Sequence, residues 1–317
     1  MKYKKLGETG LEVSEVGFGA WAIGGNAFGN SYGSTDDATS MKAIEKALDL
    51  GCNFFDTADL YGHGHSEELL GKAFKGKRDR VIIATKVGGD FYQEGQVQAN
   101  FQPNYIRFAL EESLKRLQTN YIDLYQLHNP PFPSIQHGSI FETFEKLQQE
   151  GKIRHYGISI FHPQEGLEAI KKSPLASIQM VYNLFTQDTV EMLKEGMEGK
   201  NIAIIAREPL ANGFLSGNYT RDSQFEEGDI RRNMPEIYRD TILHAISKLS
   251  FLTEDGKRSM VQAALRFVLD DPNVSVVIPG AKTPEQVEGN ISVADMPSLS
   301  EEDKTRARNL FMNRWED

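Results

Sequence analysis

After a turn-rich opening, apolar and polar residues alternate through 13–19, which predicts a strand. A glycine-rich loop follows, and then apolar residues at helical spacing from about residue 37 to 50. The same order returns with a strand at 53–56 and a helix at 66–74, for which Ser66 is the predicted N-cap. β-Branched enrichment marks a third strand at 81–86, ahead of a helix at 104–118. A fourth strand at 121–128 precedes a helix at 139–149. Further strands are predicted at 156–159, 177–180, 202–207 and 274–278, with helices between them.

Eight strands alternating with helices, in units of about 25 to 45 residues, predict an α/β fold of the (β/α)8 TIM barrel type in preference to a doubly wound sheet. One domain over residues 1–317 suffices. A barrel takes about 250 residues, and the excess falls in an N-terminal lead, a long loop at 212–258 after strand seven and a C-terminal helical tail. That loop, with a helix expected around 235–250, lies on the face where the strand C-termini open. It reads as a cover for a cofactor or substrate, or else as surface ornament.

Composition narrows the function. With 39% hydrophobic and 25% charged residues the chain is globular. Acidic residues outnumber basic ones 45 to 35, for a formal charge of −10, and no Lys/Arg stripe offers a surface to a phosphate backbone. Nucleic acid is therefore not expected as a partner, and an anionic ligand needs a local cation. A single cysteine, Cys52, excludes an internal disulfide and reads as buried filler. The opening residues lack an apolar signal segment and no stretch approaches the roughly 18 apolar residues of a membrane span, so a soluble, cytoplasmic protein without a membrane partner is expected.

In a barrel of this kind the chemistry sits at the C-terminal ends of the strands. Strands two, three and four end in Asp56, Lys86 and His128, and Tyr61 opens the loop after Asp56. Singly each has a structural explanation: a turn cap, a snorkelling amine, a satisfied core histidine, a packed ring. Together they form a donor system for a carbonyl oxygen becoming an alkoxide. A phenol, with an ordinary pKa of about 10, is a poor acid near neutrality, and a nearby ammonium stabilises its phenolate. Lys86 would supply that charge, Asp56 would hold the ammonium, and His128 would position the carbonyl.

The set Asn53-Phe54-Phe55-Asp56-Thr57-Ala58-Asp59-Leu60-Tyr61-Gly62, Thr85-Lys86 and Asp123-Leu124-Tyr125-Gln126-Leu127-His128 resembles the aldo-keto reductases, from the Lys5-Leu6-Gly7 lead to about Asn290. The combined spacing is specific where no single piece is. The resemblance implies a (β/α)8 barrel that reduces aldehydes or ketones with a nicotinamide cofactor. It assigns Tyr61 as proton donor, Lys86 as tuning cation, Asp56 as its partner and His128 as orienting group. Reactive aldehyde detoxification is a further expectation.

The resemblance also locates the cofactor. After strand eight, Pro279-Gly280-Ala281-Lys282-Thr283-Pro284 leads into a helix N-terminus, a place for phosphate oxygens. Lys282 is the local cation, which implies NADPH over NADH, with Gln286 and Asn290 toward adenine. Gly280 and Gly289 stand where many members carry lysine and glutamate. Against the nicotinamide carboxamide the family sets a Ser-Asn pair and a glutamine; here Ser159 and Gln179 remain, while isoleucine occupies the asparagine position. Arg207, followed by Pro209 and Leu210 as further cofactor contacts, replaces the tyrosine that stacks on nicotinamide. A guanidinium can stack too. Its charge would favour the neutral reduced ring, and so reduction, unless Glu208 neutralises it. Trp21 is expected to wall the substrate pocket.

Three other readings remain open. Lys86 could form a Schiff base with a carbonyl, as in an aldolase. His63 and His65, near Asp56 and His128, could serve a metal-dependent hydrolase. A cofactor-binding regulatory subunit is the third, since relatives of this family are accessory subunits of potassium channels. The charge run at 75–80 reads as a solvated turn on the opposite face.

Overall fold

The computed structural model describes residues 1–29, 31–93, 96–254 and 256–316. Eight parallel strands form one sheet in simple sequential order: β1 (Phe18–Gly19), β2 (Phe54–Asp56), β3 (Ile82–Val87), β4 (Ile122–His128), β5 (Ile153–Ser159), β6 (Ser177–Val181), β7 (Ala203–Arg207) and β8 (Val274–Val277). Parallel bridges Val16–Val277 and Gly19–Gly280 join the first strand to the last and close the cylinder. A side chain at Gly19 would bring its Cβ to 2.7 Å from the Ile278 carbonyl oxygen, so the seam requires a glycine there.

The period of two explains both the core and the site. Phe54, Ile82, Ala84, Leu124, Ala203, Ile205 and Val276 belong to one apolar cluster inside the barrel, while Phe55, Ile83, Tyr125, Leu127 and Ile204 pack with the helices outside. Continuing each inward series toward the strand C-terminus turns it polar: Phe54 leads to Asp56, Ile82 and Ala84 to Lys86, and Leu124 to Gln126 and His128. Ile205 likewise leads to Arg207. The alternation that fills the barrel thus aims its last members at the mouth.

The first predicted strand differs from the observed one. Glu12–Ser14 pairs antiparallel with Tyr3–Lys5, leaving only Phe18–Gly19 in the barrel wall. Leu6 and Val13 join the inner cluster, so the lead closes the end of the barrel opposite the site. Ser66 is not an N-cap: helix His65–Ala73 is capped by Gly64 in a left-handed conformation, and the Ser66 hydroxyl donates to the Ala20 carbonyl at 2.9 Å. The charge run at 75–80 is more than a solvated turn. Arg78 donates to Asp123 at 2.6 Å and lies 4.0 Å from the Tyr121 ring centroid. Cys52 is buried, and burial pushes its thiol up to about 12, as filler requires.

The 212–258 segment, of which Asp255 lies outside the described residues, carries short turns at Phe214–Ser216 and Ile230–Asn233 and a helix at Glu236–Lys248. Helix Glu301–Met312 forms the C-terminal tail. No helix among the described residues is long and apolar enough to cross a membrane.

Candidate active site

Asp56, Lys86, Tyr61 and His128 come together at the barrel mouth. The Lys86 ammonium, fully buried, donates to Asp56 Oδ1 at 2.5 Å, to the Thr57 carbonyl at 2.9 Å and to the Tyr61 hydroxyl at 3.1 Å. All three ammonium protons are placed. His128 meets the Tyr61 ring edge-on, with centroids 5.8 Å apart. Asp56 Oδ2 accepts from Gln126 Nε2 at 3.2 Å and Gln179 Nε2 at 2.8 Å, so the carboxylate is saturated by a cation and two amides.

Burial alone would lower the Lys86 pKa, but Asp56 and Tyr61 outweigh it and the ammonium is held charged above its ordinary range. The Tyr61 phenol moves opposite to the sequence expectation. Burial raises it, and Lys86, whose charge is shared with Asp56, pulls it down without prevailing. His128 falls well below its ordinary value through burial first, then the charges of Lys86 and Arg207, so it is a neutral imidazole. A protonated phenol and a neutral imidazole beside one locked cation make two uncharged hydrogen-bond donors at one spot.

Asp56, Tyr61 and His128 line a cavity of about 800 Å³, whose wall also includes Trp21, Tyr32, Asn129, Phe161, Pro209 and Leu210. The Trp21 ring lies 4.7 Å from Tyr32 and 6.0 Å from Tyr61, centroid to centroid, and forms an aromatic side of the cavity.

Ser159, at the end of β5, and Gln179, in the middle of β6, lie in register with His128. Ser159 Oγ donates to Asn129 Oδ1 at 3.2 Å. Gln179 is committed to Asp56 through Nε2, while its buried Oε1 has no partner among the described residues. Arg207 pairs with Glu208, donates from Nη2 to the Ile160 carbonyl at 3.2 Å, and keeps a buried Nε that likewise has no partner among the described residues. The Glu208 pairing meets the stated exception, so the expected bias of Arg207 against an oxidised, cationic ring is withdrawn. An orphaned amide oxygen and an orphaned guanidinium nitrogen on one cavity fit a polar aromatic ligand such as nicotinamide, which can use both.

Beyond β7, Glu208, Ala211 and Asn212 all adopt left-handed backbone conformations, with φ of 53°, 47° and 55°. Such strain at three non-glycine positions concentrates where a binding loop is held open. After β8, Lys282 donates to the carbonyls of Tyr32 at 2.6 Å and Ser34 at 3.0 Å. Its backbone N–H is taken by Gln286 Oε1 at 2.7 Å, and Asn290 Nδ2 reaches the Gly280 carbonyl at 3.3 Å. Lys282 is thus a tie between the loops after β1 and β8 as well as a cation beside the groove. Burial, then the nearby Arg231, lowers its pKa.

The segment after β7 does reach over the mouth. Tyr32 donates to Asn212 Oδ1 at 2.8 Å, Ser34 N–H to Glu226 at 2.9 Å, and Arg231 binds Asp229, Tyr219 and the Tyr32 carbonyl. His63 stacks between Phe28 and Phe91, with centroids at 3.9 and 4.7 Å, and His65 pairs with Asp37 at 2.8 Å.

Sequence reasoning missed Gln126, Asn129 and Arg231. Gln126 was findable, since it shares the inward parity of Leu124 and His128; the other two reach the site only through loop geometry. It also missed a buried network behind Lys86. Thr85 Oγ1 and Arg116 Nε donate to Glu67 at 2.6 and 2.7 Å, and among the described residues neither carboxyl oxygen of the fully buried Asp59 has a hydrogen-bond partner. Burial first, then Glu67, holds Asp59 well above its ordinary value, so it is a neutral acid.

A parallel eight-stranded barrel with a Tyr-Lys-Asp-His constellation at its mouth and a strained loop after β7 defines a class of carbonyl-reducing barrels. Residues 15–310 match the profile of the Aldo/keto reductase family, and the chain belongs to that family. It is an oxidoreductase, and its family uses nicotinamide cofactors. It is 36% identical to the aldo-keto reductase YhdN of Bacillus subtilis over 96% of this chain and 92% of that one. It is 31% identical to the NADH-specific methylglyoxal reductase of Escherichia coli K12, covering 98% of both. Among solved structures, the glycerol dehydrogenase AKR11B4 from Gluconobacter oxydans superposes with a TM-score of 0.85 at 33% identity, over 98% of this chain and 95% of that one.

Proposed function

We propose that this chain reduces small aldehydes or ketones to alcohols with NADPH as the reductant. The observation that carries this reading is the Lys86 ammonium, 2.5 Å from Asp56 and 3.1 Å from the hydroxyl of Tyr61, which lines a cavity together with Trp21 and His128. A reduced nicotinamide held by Ser159, Gln179 and Arg207 would supply hydride to the carbonyl carbon. Tyr61 donates a hydrogen bond to the carbonyl oxygen and passes its proton as negative charge develops there. Lys86 then stabilises the phenolate left behind, and needs no movement to do so. Asp56 keeps Lys86 charged and fixed. Neutral His128 gives a second hydrogen bond that orients the carbonyl.

Ser159, Gln179 and Arg207 would hold the nicotinamide end, Pro209 and Leu210 the middle, and Gly280, Lys282, Gln286 and Asn290 the adenosine end. Preference for NADPH is assigned to Lys282, the cation beside that groove. The aromatic wall suits small apolar aldehydes, and clearing reactive aldehydes is the proposed physiological setting. A Schiff-base reading is disfavoured because Asp56 holds the Lys86 amine protonated.

The test follows NADPH and NADH absorbance against aldehydes, ketones and sugars, with Tyr61→Phe in parallel. Unchanged turnover in that variant would remove Tyr61 as donor, and equal weakening of NADPH and NADH by Lys282→Ala would remove the 2′-phosphate assignment.

A further inference from the structure

We infer that Asn129, and not Ser159, is the donor that fixes the carbonyl oxygen of the nicotinamide carboxamide, resting on the nicotinamide cofactor proposed above. Hydrogen-bond polarity decides between the two residues. A primary carboxamide offers two N–H donors and one acceptor oxygen, so a site that holds it needs acceptors and at least one donor. On β5 the only hydroxyl proton of Ser159 is already given to Asn129 Oδ1 at 3.2 Å. The Gln179 amide nitrogen is given to Asp56 at 2.8 Å and Gln126 at 3.3 Å. What these two groups have left is acceptor capacity: the lone pairs of Ser159 Oγ and the buried, unpartnered Gln179 Oε1.

The donor that Ser159 and Gln179 lack is on Asn129, which, unlike the orphaned Arg207 Nε, belongs to the residue bonded to Ser159. Its Oδ1 faces Ser159, its backbone N–H donates to the Ser159 carbonyl at 3.0 Å, and among the described residues its Nδ2 donates to no protein group. The residue lines the same cavity as Gln179 and Arg207. Its backbone is left-handed, with φ of 55°, a conformation asparagine tolerates far better than most side chains. One residue beyond β4, that turn lays the amide beside Ser159. Ile160, whose apolar side chain is buried, contributes no such donor. Two acceptors and one donor then match the carboxamide, and the Asn129–Ser159 bond fixes which is which.

The test is calorimetric binding of NADP+ to the protein and to Asn129→Gly, which keeps the left-handed backbone and deletes only the amide. The expected loss is about fivefold to tenfold in NADP+ affinity, the scale of one net hydrogen bond, with affinity for adenosine 2′,5′-bisphosphate unchanged. The thionicotinamide analogue, whose sulfur is a poor acceptor, should bind the two proteins within about twofold of one another. Asn129→Asp retains the acceptor toward Ser159 but sets a carboxylate against the carbonyl, and should bind NADP+ more weakly than the glycine variant. Equal NADP+ affinity in wild type and Asn129→Gly, or parallel weakening of the bisphosphate, would overturn the assignment to Asn129 alone. A wild-type protein with no affinity for NADP+ or NADPH would overturn the cofactor reading along with it.

Discussion

Gln179 donates to Asp56 at 2.8 Å across the inside of the barrel, from β6 to the end of β2. A residue assigned to the cofactor is thereby bonded to the acid that holds the ammonium beside Tyr61. The proposed cofactor contact Gln179 and the proposed proton donor Tyr61 thus belong to one buried polar network that runs through Asp56 and Lys86.

Tyr61→Phe removes the hydroxyl while leaving the ring against Trp21 and His128. Steady-state turnover of a small aldehyde should fall by about 10² to 10⁴, the span of general acid catalysis, with NADPH affinity by fluorescence titration retained. Loss of both in parallel would mark Tyr61 as a structural group.

Lys86→Met leaves the buried Asp56 carboxylate without its cation. Chemical denaturation should register a loss of about 3–5 kcal/mol. Adding Asp56→Asn should recover much of it, because the uncompensated charge disappears. A simple sum of the two single losses would argue against the pairing.

His128 has a folded pKa well below its unfolded value of about 6.5. Below that unfolded value the denatured chain binds a proton that the native chain refuses, so this group costs stability progressively as pH falls from about 6.5 toward the folded pKa. His128→Asn should flatten that part of the stability profile measured by thermal melts. An unchanged slope would show that His128 titrates freely.

Asp59 works in the opposite direction. Its folded pKa lies well above the unfolded value of about 3.9, so the native state gains relative stability as pH falls toward 3.9 and loses it as pH rises from there. Asp59→Asn, a neutral isostere, should be more stable than wild type at pH 8 and no more stable at pH 4. Equal differences at both pH values would mean that the carboxyl is not held neutral.

Lys282→Ala should weaken NADPH more than NADH. Because Lys282 also ties the Tyr32 and Ser34 carbonyls, the variant should show faster proteolysis near residues 31–35. Intact resistance to protease would show that the tie adds nothing to the loop.

The alternation of apolar and polar residues determined most of the barrel by itself. Periods of 2 and 3.6 are local properties, and they carry Phe54 to Asp56, Ile82 to Lys86 and Leu124 to His128 without reference to the rest of the chain. The motif around Asp56 and Tyr61 was legible for the same reason, since strand ends in this fold converge. Tertiary structure decided what depends on contacts between distant segments. The first strand divided because its N-terminal part pairs with Tyr3–Lys5 to close the barrel floor. Ser66 gave up its capping role because its hydroxyl meets Ala20. The Tyr61 phenol went up because burial, which no sequence pattern measures, outweighs one shared ammonium. Lys282 met the Tyr32 loop and Asn129 met Ser159 only once the chain had closed. Hydrogen-bond direction and desolvation depend on which atoms share a buried volume, and folding alone sets that.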